Sequence, residues 1–584
     1  MLRTLVKKGS YQDSVVLMLL TNKISSIDGV NKVSIMMGTP ANKDIFKASG
    51  METSELVSAS SNDMVMVIDT ELENIEEIVA KETDDFLNNQ SAKSNGGNED
   101  KAVKSWEQAT SVLPDANLAV ISIPGTYAAM EADRALDENL NVFIFSDNVS
   151  LEDEVRLKEK AHVKGLLVMG PDCGTGIIHG TPIAFTNYVE KGKIGIVGAS
   201  GTGIQELTTI IDRLGEGVTN AIGTGGRDLS ATVGGITMLD SINVLANDPS
   251  VEVMIIVSKP PAKHVRDKIV KRLESIEKPV ITLFLGEKPE THENGFYHAY
   301  TLDEAARIAV KLVRNESIEL EDYVIEHDDR FNKDEEKTIK AYYSGGTLAS
   351  EAAILLKDTL KLPTKTETSE GYILKVAGHE VIDLGDDKYT QGKPHPMIDA
   401  STRIEYMKNA GNDKSTGVIL LDIVLGYGSH ENMAGELSKS IESLQEKAKE
   451  ENRKLFFVTT ICGTKKDIQN FDFQKKQMED LGVIVCDTNK MAVEMALYLI
   501  GHKYEELEKE ILPRNLRKSN NPELSEKLIE LIENKPRVIN IGLKSFADVL
   551  EDFKAEVVQY NWTPPAGGDV RMIKVLQFLR GYGL

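Results

Sequence analysis

The chain has 584 residues, a formal net charge of −24, a pI near 5.0 and 41% apolar residues. That length calls for about three to five domains, and the acidity argues against a nucleic-acid partner, because no basic patch stands apart in the sequence. Three cysteines with no CxxC leave no zinc or iron–sulfur signature and suit a reducing cytoplasm, while the six-residue apolar run VVLMLL is too short for a signal peptide or membrane span.

Residues 1–88 alternate strand and helix. RTLVKK, KVSIMMG and DMVMVID read as strands and DSVVLMLLTNKISSI, NKDIFKAS and NIEEIVAKETDDFL as helices, which predicts a small ferredoxin-like α+β module. The polar stretch 89–100 reads as a flexible linker. Over 101–190, NLAVISIP, NVFIFS and LLVMGPDCG are strands separated by the helices YAAMEADRALDEN and LEDEVRLKEKAHVKG. This alternation predicts a Rossmann-like parallel sheet whose turns SIPGT, FSDN and GPDCG share one edge, where ligands bind. The pattern restarts over 191–326 with KIGIVGASGTG, NAIGTGGRDLS, VEVMIIVSKPPAKH and KPVITLFLGEKPE. After a charged connection at 327–338 it starts again over 339–502 with KAYYS, TGVILLDIVLGYG, KLFFVTTICGT and GVIVCD. A charged helical stretch, 503–534, then leads to a β/α tail at 535–584. The predicted fold class is multi-domain α/β, with Rossmann-like and flavodoxin-like parallel sheets covered by helices on both faces, plus the small N-terminal module.

Two turns concentrate the chemistry. GIVGASGTGIQELTTII at 195–211 and KAYYSGGTLASEAAILL at 340–356 each pass from a strand through Ser-Gly-(x)-Thr into a helix, aiming backbone N–H groups at an anion. Ser200, Gly201 and Thr202, with Ser344, Gly345, Gly346 and Thr347, are therefore candidate phosphate-binding residues. The plainer alternative is a pair of helices capped by their own hydroxyls. In GTGGRDLS, Gly225 and Gly226 precede Arg227, whose fork can grip a carboxylate or phosphate, or else pair with an acid such as Asp228. His395, between two prolines in KPHPMID, is held stiffly enough to pass a proton. It can equally be a turn histidine, with Asp399 and Arg403 as capping and pairing groups. Cys173 in GPDCG is either a thiol near a helix N-terminus or a small packing residue, and Cys462 and Cys486 read as core. Asp386 and Asp387 lack further ligands at metal spacing, so no metal is assigned. The tail WTPPAGGD suits docking to a partner or closing over its own domain.

The segments SIPGTYAAMEADRAL, MGPDCGTGII, GKIGIVGASGTGIQEL, GTGGRDLS, DPSVEVMIIV and KPVITLFLG follow the order and spacing of the succinyl-CoA synthetase α subunit. SGGTLASEAAILL and GVILLDIVLGYGSHENMAGEL are similar to the C-terminal domain of its β subunit. With GDDKYTQGKPHPMID and the C-terminal INIGLKSFADVLEDFKAEVVQYNWTPPAGGD, the chain resembles the FdrA branch of this superfamily. In the synthetase a phosphohistidine sits between two helix N-termini and a glutamate orients it. Here both helices lie in one chain, Lys259 stands at the glutamate position, and His298, in FYHAY, is the candidate carrier without the flanking glycines. The resemblance also implies substrate-binding positions at Asp172, Cys173, Gly225, Gly226, Gly426 and Gly428, with Lys259, His395, Arg227 and His298 as catalytic candidates. The nucleotide-grasp half is absent, so ATP is not expected in this chain. The first CoA-binding turn is missing, since residues 1–88 stand in its place, and CoA stays open. The family implies a cytoplasmic carbamoyltransferase subunit, acting between oxamate or oxalurate and phosphate in allantoin and purine catabolism, with homo-oligomerisation and partner subunits. The alternatives are a CoA ligase working through His298 and a non-catalytic regulatory or scaffold subunit.

Overall fold

The computed structural model describes all residues except 11, 13, 61–62, 73, 93–102, 322–336, 364–370, 391–393, 515–521, 566–571, 573–574 and 576–584. Most of the expected charged connection at 327–338, and the AGGD end of the tail motif, fall outside the described residues. Four sheets carry the architecture. The first pairs Leu2–Lys7 and Val30–Met37 antiparallel to the central strand Met64–Thr70. Strand alternation sends Met64, Met66 and Ile68 to one face, against Leu20, Ile24, Ile75 and Val79. Val65 and Val67 go to the other face, against Phe46 and Leu56. Helices therefore cover this small sheet on both sides.

The second sheet is five-stranded and wholly parallel, in the spatial order Glu556–Tyr560, Arg537–Ile541, Leu118–Ile121, Asn141–Ile144, Val168–Met169. The C-terminal β/α tail is thus not a separate unit. Its two strands add to the 101–190 unit, with Val538 opposite Leu118 and Ile541 opposite Ile121. Ser122 locks the join, its N–H donating to the Ile541 carbonyl at 2.8 Å and its Oγ accepting from the Leu543 N–H at 2.8 Å. Gly542 has φ +118°, and a Cβ there would fall 2.4 Å from Ser122 Oγ, so the turn needs glycine.

The third sheet has nine strands. Its parallel centre, Phe296–His298, Val280–Phe284, Val253–Ser258, Ile194–Ala199 and Val218–Gly223, is flanked by the hairpin Thr175–Ile178/Thr181–Ala184 on one side and by Thr291–Glu293 and Glu510–Leu512 on the other. Part of the stretch expected to be a charged helix, 503–534, is therefore an edge strand. It pairs parallel to Thr291–Glu293, and among the described residues of the stretch only Glu526–Glu533 is helical. The fourth sheet has six strands, ordered Tyr372–Val376, His379–Asp383, Thr338–Tyr343, Thr416–Val424, Phe456–Cys462, Ile484–Cys486, with only the first strand antiparallel to its neighbour.

One apolar core runs through the third and fourth sheets. The helix Gly201–Arg213 places Ile204, Leu207, Ile210 and Ile211 on one stripe, and the helix Gly346–Thr359 does the same with Leu348, Ala352, Leu355 and Leu356. Both stripes are buried in that shared core. The two helices are consequently held together by burial, which brings their N-termini face to face.

Candidate functional site

The two glycine turns meet. The hydroxyls of Ser200 and Thr347 are hydrogen bonded to each other, and the Thr347 N–H donates to Thr202 Oγ1 at 3.2 Å. Glycine makes the approach possible. A Cβ on Gly203 would stand 3.1 Å from Thr347 Cγ2, and one on Gly345 would stand 3.1 Å from Thr202 Cγ2.

The capping is unequal. Ser200 caps its own helix, accepting from the Gly203 N–H at 3.1 Å. Gly345 offers no side-chain cap, and its turn is satisfied by Asp422. That carboxylate accepts from the Ser344 N–H at 2.8 Å, the Ser344 hydroxyl at 2.9 Å and the Gly345 N–H at 2.8 Å. Asp422 is fully buried and paired with the equally buried Arg403, whose guanidinium also donates to the Asp422 and Pro396 carbonyls. Ser344 and Gly345 thus spend their donors inside the protein, a correction to their expected role as phosphate ligands. Among the described residues, the N–H groups of Gly201, Thr202 and Gly346 have no acceptor.

A half-buried carboxylate faces the second helix end. Asp383 closes the His379–Asp383 strand, and its Oδ2 lies only 2.3 Å from where a Cβ on Gly346 would sit. Burial pushes its carboxyl up to about 6, against the favourable charge of Lys259. Lys259 is exposed just past the end of the Val253–Ser258 strand, with Nζ 3.5 Å from the same Gly346 position. His395 joins from the loop that follows. Its Nδ1 accepts from the Met397 N–H at 3.2 Å, which assigns the proton of the neutral ring to Nε2. That Nε2 lies 2.7 Å from a Cβ position on Gly385, beside the Ser344 carbonyl and Asp383 Oδ1. Burial and the nearby Arg403 bring the imidazole down to about 4, so it is neutral in the physiological range. Lys259, Asp383 and His395, from three separate segments, thereby converge on one helix N-terminus.

Beside them lies a cavity of about 260 Å³, lined among others by Ala199, Gly226, Arg227, Ser230, Lys259 and Pro260. Arg227 Nη2 donates to the Val149 carbonyl at 2.8 Å and stands 2.9 Å from Glu154 Oε2. Glu154 is fully buried. With Asp228 it holds the buried Lys158, whose ammonium also donates to the Thr224 carbonyl. Asp228, the expected partner of Arg227, is therefore committed to Lys158.

The remaining candidates lie apart from this cluster. His298 sits in an interior row of the sheet, opposite Thr282, to whose hydroxyl its Nδ1 bonds at 2.8 Å. Its own N–H donates to His292, and burial lowers its imidazole to about 4. Cys173 is buried and its thiol is raised to about 12, so the packing alternative describes it. Asp172 donates its N–H to the Ser146 carbonyl, which joins the GPDCG and FSDN turns, and Gly225 packs within 2.3 Å, by its Cβ position, of the Pro171 carbonyl. Gly426 and Gly428 press on the segment 185–187. A Cβ on Gly428, at φ +83°, would fall 1.8 Å from the Phe185 ring, so these glycines join two units by close approach. Trp562 packs on Tyr127 and donates to Glu131, covering its own unit.

Asp383, Asp422 and Arg403 are the residues that sequence reasoning passed over or took as capping groups. The signal was present: an acid inside the apolar runs VILLDIVLGYG and EVIDLG has to meet a donor on folding.

The family described as CoA-ligase matches residues 342–499, that described as CoA binding domain matches 189–286, and that described as AllF, heavy metal-associated domain matches 1–103. Residues 1–103 contain no histidine or cysteine, and among the described residues no group of three or more His, Cys, Asp or Glu can hold a metal ion. The module therefore does not fit a heavy metal. The 260 Å³ cavity falls below the roughly 300–1,000 Å³ that encloses a drug-sized ligand, so it does not enclose a molecule the size of CoA. No helix among the described residues is long and apolar enough to cross a membrane.

The α-2 subunit of the mitochondrial ADP-forming succinate–CoA ligase of Trichomonas vaginalis is 28% identical over 30% of this chain. That match covers 57% of the relative, so this chain spans just over half its length. The dinucleotide forming acetyl-coenzyme A synthetase 1 of Ca. Korarchaeum cryptofilum aligns over 67% of this chain and 85% of its own at 15% identity, with a TM-score of 0.26. The Escherichia coli (strain K12) protein YahF, described as uncharacterized, is 39% identical over 83% of this chain and 96% of its own length. At that identity over most of both chains, and with the CoA-ligase and CoA binding domain matches, the chain belongs to the FdrA-like family of the CoA-ligase superfamily.

Proposed function

We propose that this chain is the phosphate-handling subunit of a carbamoyltransferase that acts between oxalurate and phosphate on a CoA-ligase scaffold. The observation that carries the reading is the meeting of the two turns, with the Gly201, Thr202 and Gly346 N–H groups unspent and Lys259 beside Gly346. Unspent donors at paired helix N-termini are suited to a dianion. In the degradative direction a phosphate oxygen attacks the ureido carbon of oxalurate. The carbon–nitrogen bond breaks, the hydrogen phosphate proton moves to the departing nitrogen, and carbamoyl phosphate and oxamate result. Lys259 and the helix ends hold charge on the phosphate, while Asp383 and the His395 Nε2–H supply the proton path. The AllF-related N-terminal match supports the allantoin setting.

The test is to incubate the purified chain with its partner subunits, oxalurate and phosphate, and to assay carbamoyl phosphate. Formation that falls at least about 100-fold in Asp383→Asn supports the reading; its absence from the complete wild-type assembly refutes it. A CoA ligase is the second reading, favoured by the CoA-ligase and CoA binding domain matches. It requires acid-labile phosphate on His298 that disappears in His298→Ala.

A further inference from the structure

The cavity beside the first turn is built differently from the turn itself. Its walls are apolar at Ala199, Leu229, Pro260 and Ala262 and polar at Ser230, Arg227 and Lys259, the last two cationic. An inorganic anion has no use for the apolar side, whereas a short organic acid meets both. Arg227 is also fixed in place. Nη2 is spent on the Val149 carbonyl and faces the fully buried Glu154, while Nη1 and Nε have no acceptor among the described residues. The side chain is still 43% exposed, so a ligand can reach it. Behind it, Lys158 is shared by two buried acids, Glu154 and Asp228, so Arg227 supplies the second positive charge of that cluster through Nη2 alone. A guanidinium held through Nη2, with Nη1 and Nε still free, can donate a charge-assisted hydrogen bond to a carboxylate. Ala199 lines the cavity and directly precedes Ser200, so an occupant lies within one residue of the helix ends.

We propose that this cavity is the acceptor subsite: Arg227 holds the carboxylate of a small organic acid of two or three carbons, and Lys259 lies between it and the anion held at the Gly201, Thr202 and Gly346 N–H groups. The inference rests on the phosphate-handling reading for its second ligand but not for its first. The volume of about 260 Å³ admits oxamate and excludes CoA as a fully enclosed ligand.

The experiment titrates the full chain by calorimetry with oxamate and, separately, with inorganic phosphate, in wild type, Arg227→Gln and Arg227→Lys. Arg227→Gln is expected to weaken oxamate about 10- to 100-fold and to leave phosphate within about threefold. Arg227→Lys retains the charge facing Glu154 and guards against a folding failure. It is expected to weaken oxamate about tenfold, because the planar fork is lost. Undetectable oxamate binding to wild type, unchanged oxamate affinity in both variants, or an equal loss of phosphate affinity overturns the subsite. Failure of wild type to bind phosphate counts against the phosphate-handling reading, and the oxamate titration still decides the cavity.

Discussion

Removing the Asn489 side chain should loosen the second of the two turn-bearing helices. Asn489 is fully buried where they meet. Its backbone N–H donates to Glu206 Oε1 at 3.0 Å, on the first helix. Its Nδ2 donates to Glu351 Oε2 at 2.7 Å and to the Leu348 carbonyl at 3.1 Å, on the second, and its Oδ1 accepts from the Tyr343 hydroxyl at 2.8 Å. Asn489→Ala keeps the backbone bond and deletes the other three, stranding buried partners. Two neutral bonds at about 1 kcal/mol each and one to a carboxyl group at about 2 give about 4 kcal/mol. Where Glu351 carries its proton, the third bond is neutral and the loss falls to about 3 kcal/mol. The assay is native-state hydrogen exchange of the two helices. A local loss of about 4 kcal/mol speeds exchange roughly 10³-fold in Gly346–Thr359, and leaves Gly201–Arg213, whose Glu206 keeps its bond to the Asn489 backbone, and the Leu118–Ile121 sheet little changed. Acceleration of less than about tenfold, or acceleration spread evenly over all four sheets, would refute the reasoning.

Glu351 is raised to about 7 by burial, so the folded state binds a proton that the unfolded chain releases near 4.5. The associated stability is fully present below about 4.5 and lost as pH rises to 7. Glu351→Gln should flatten that fall, worth on the order of 3 kcal/mol, in thermal midpoints measured between pH 5 and 8. Asp383, raised to about 6, occupies the helix end as an anion above that pH. Sulfate, which does not titrate in this range, should therefore bind about tenfold more tightly at pH 5 than at pH 7.5, and Asp383→Asn should remove the difference. Lys259, His395 and Asp422 stay in place in that comparison. Gly428→Ala should cost about 3 kcal/mol, from a left-handed backbone and a collision with Phe185, seen as a lower thermal midpoint. Ile539→Asp places an unpaired charge in a fully buried strand. It should strip exchange protection from Leu118–Ile121, and retained protection would show that the C-terminal strands fold apart.

Sequence alone determined the strand and helix alternation, the α/β class, the two glycine turns and the family. Each is written in short-range periodicity and in residue types such as Ser-Gly-(x)-Thr that a turn demands locally. Lys259, Arg227 and His395 were legible as candidates because a cation after a strand or a histidine between prolines stands out in one dimension. Their convergence was not, since Lys259, Asp383 and His395 come from separate segments and meet only because two apolar helix stripes share one core. Tertiary structure alone decided that Asp422 would consume the donors of Ser344 and Gly345, a competition between an internal carboxylate and an external anion that no local pattern expresses. It also decided the place of the C-terminal strands. A parallel strand carries no record of its neighbour, so only register and burial could put Arg537–Ile541 beside Leu118–Ile121, more than 400 residues away.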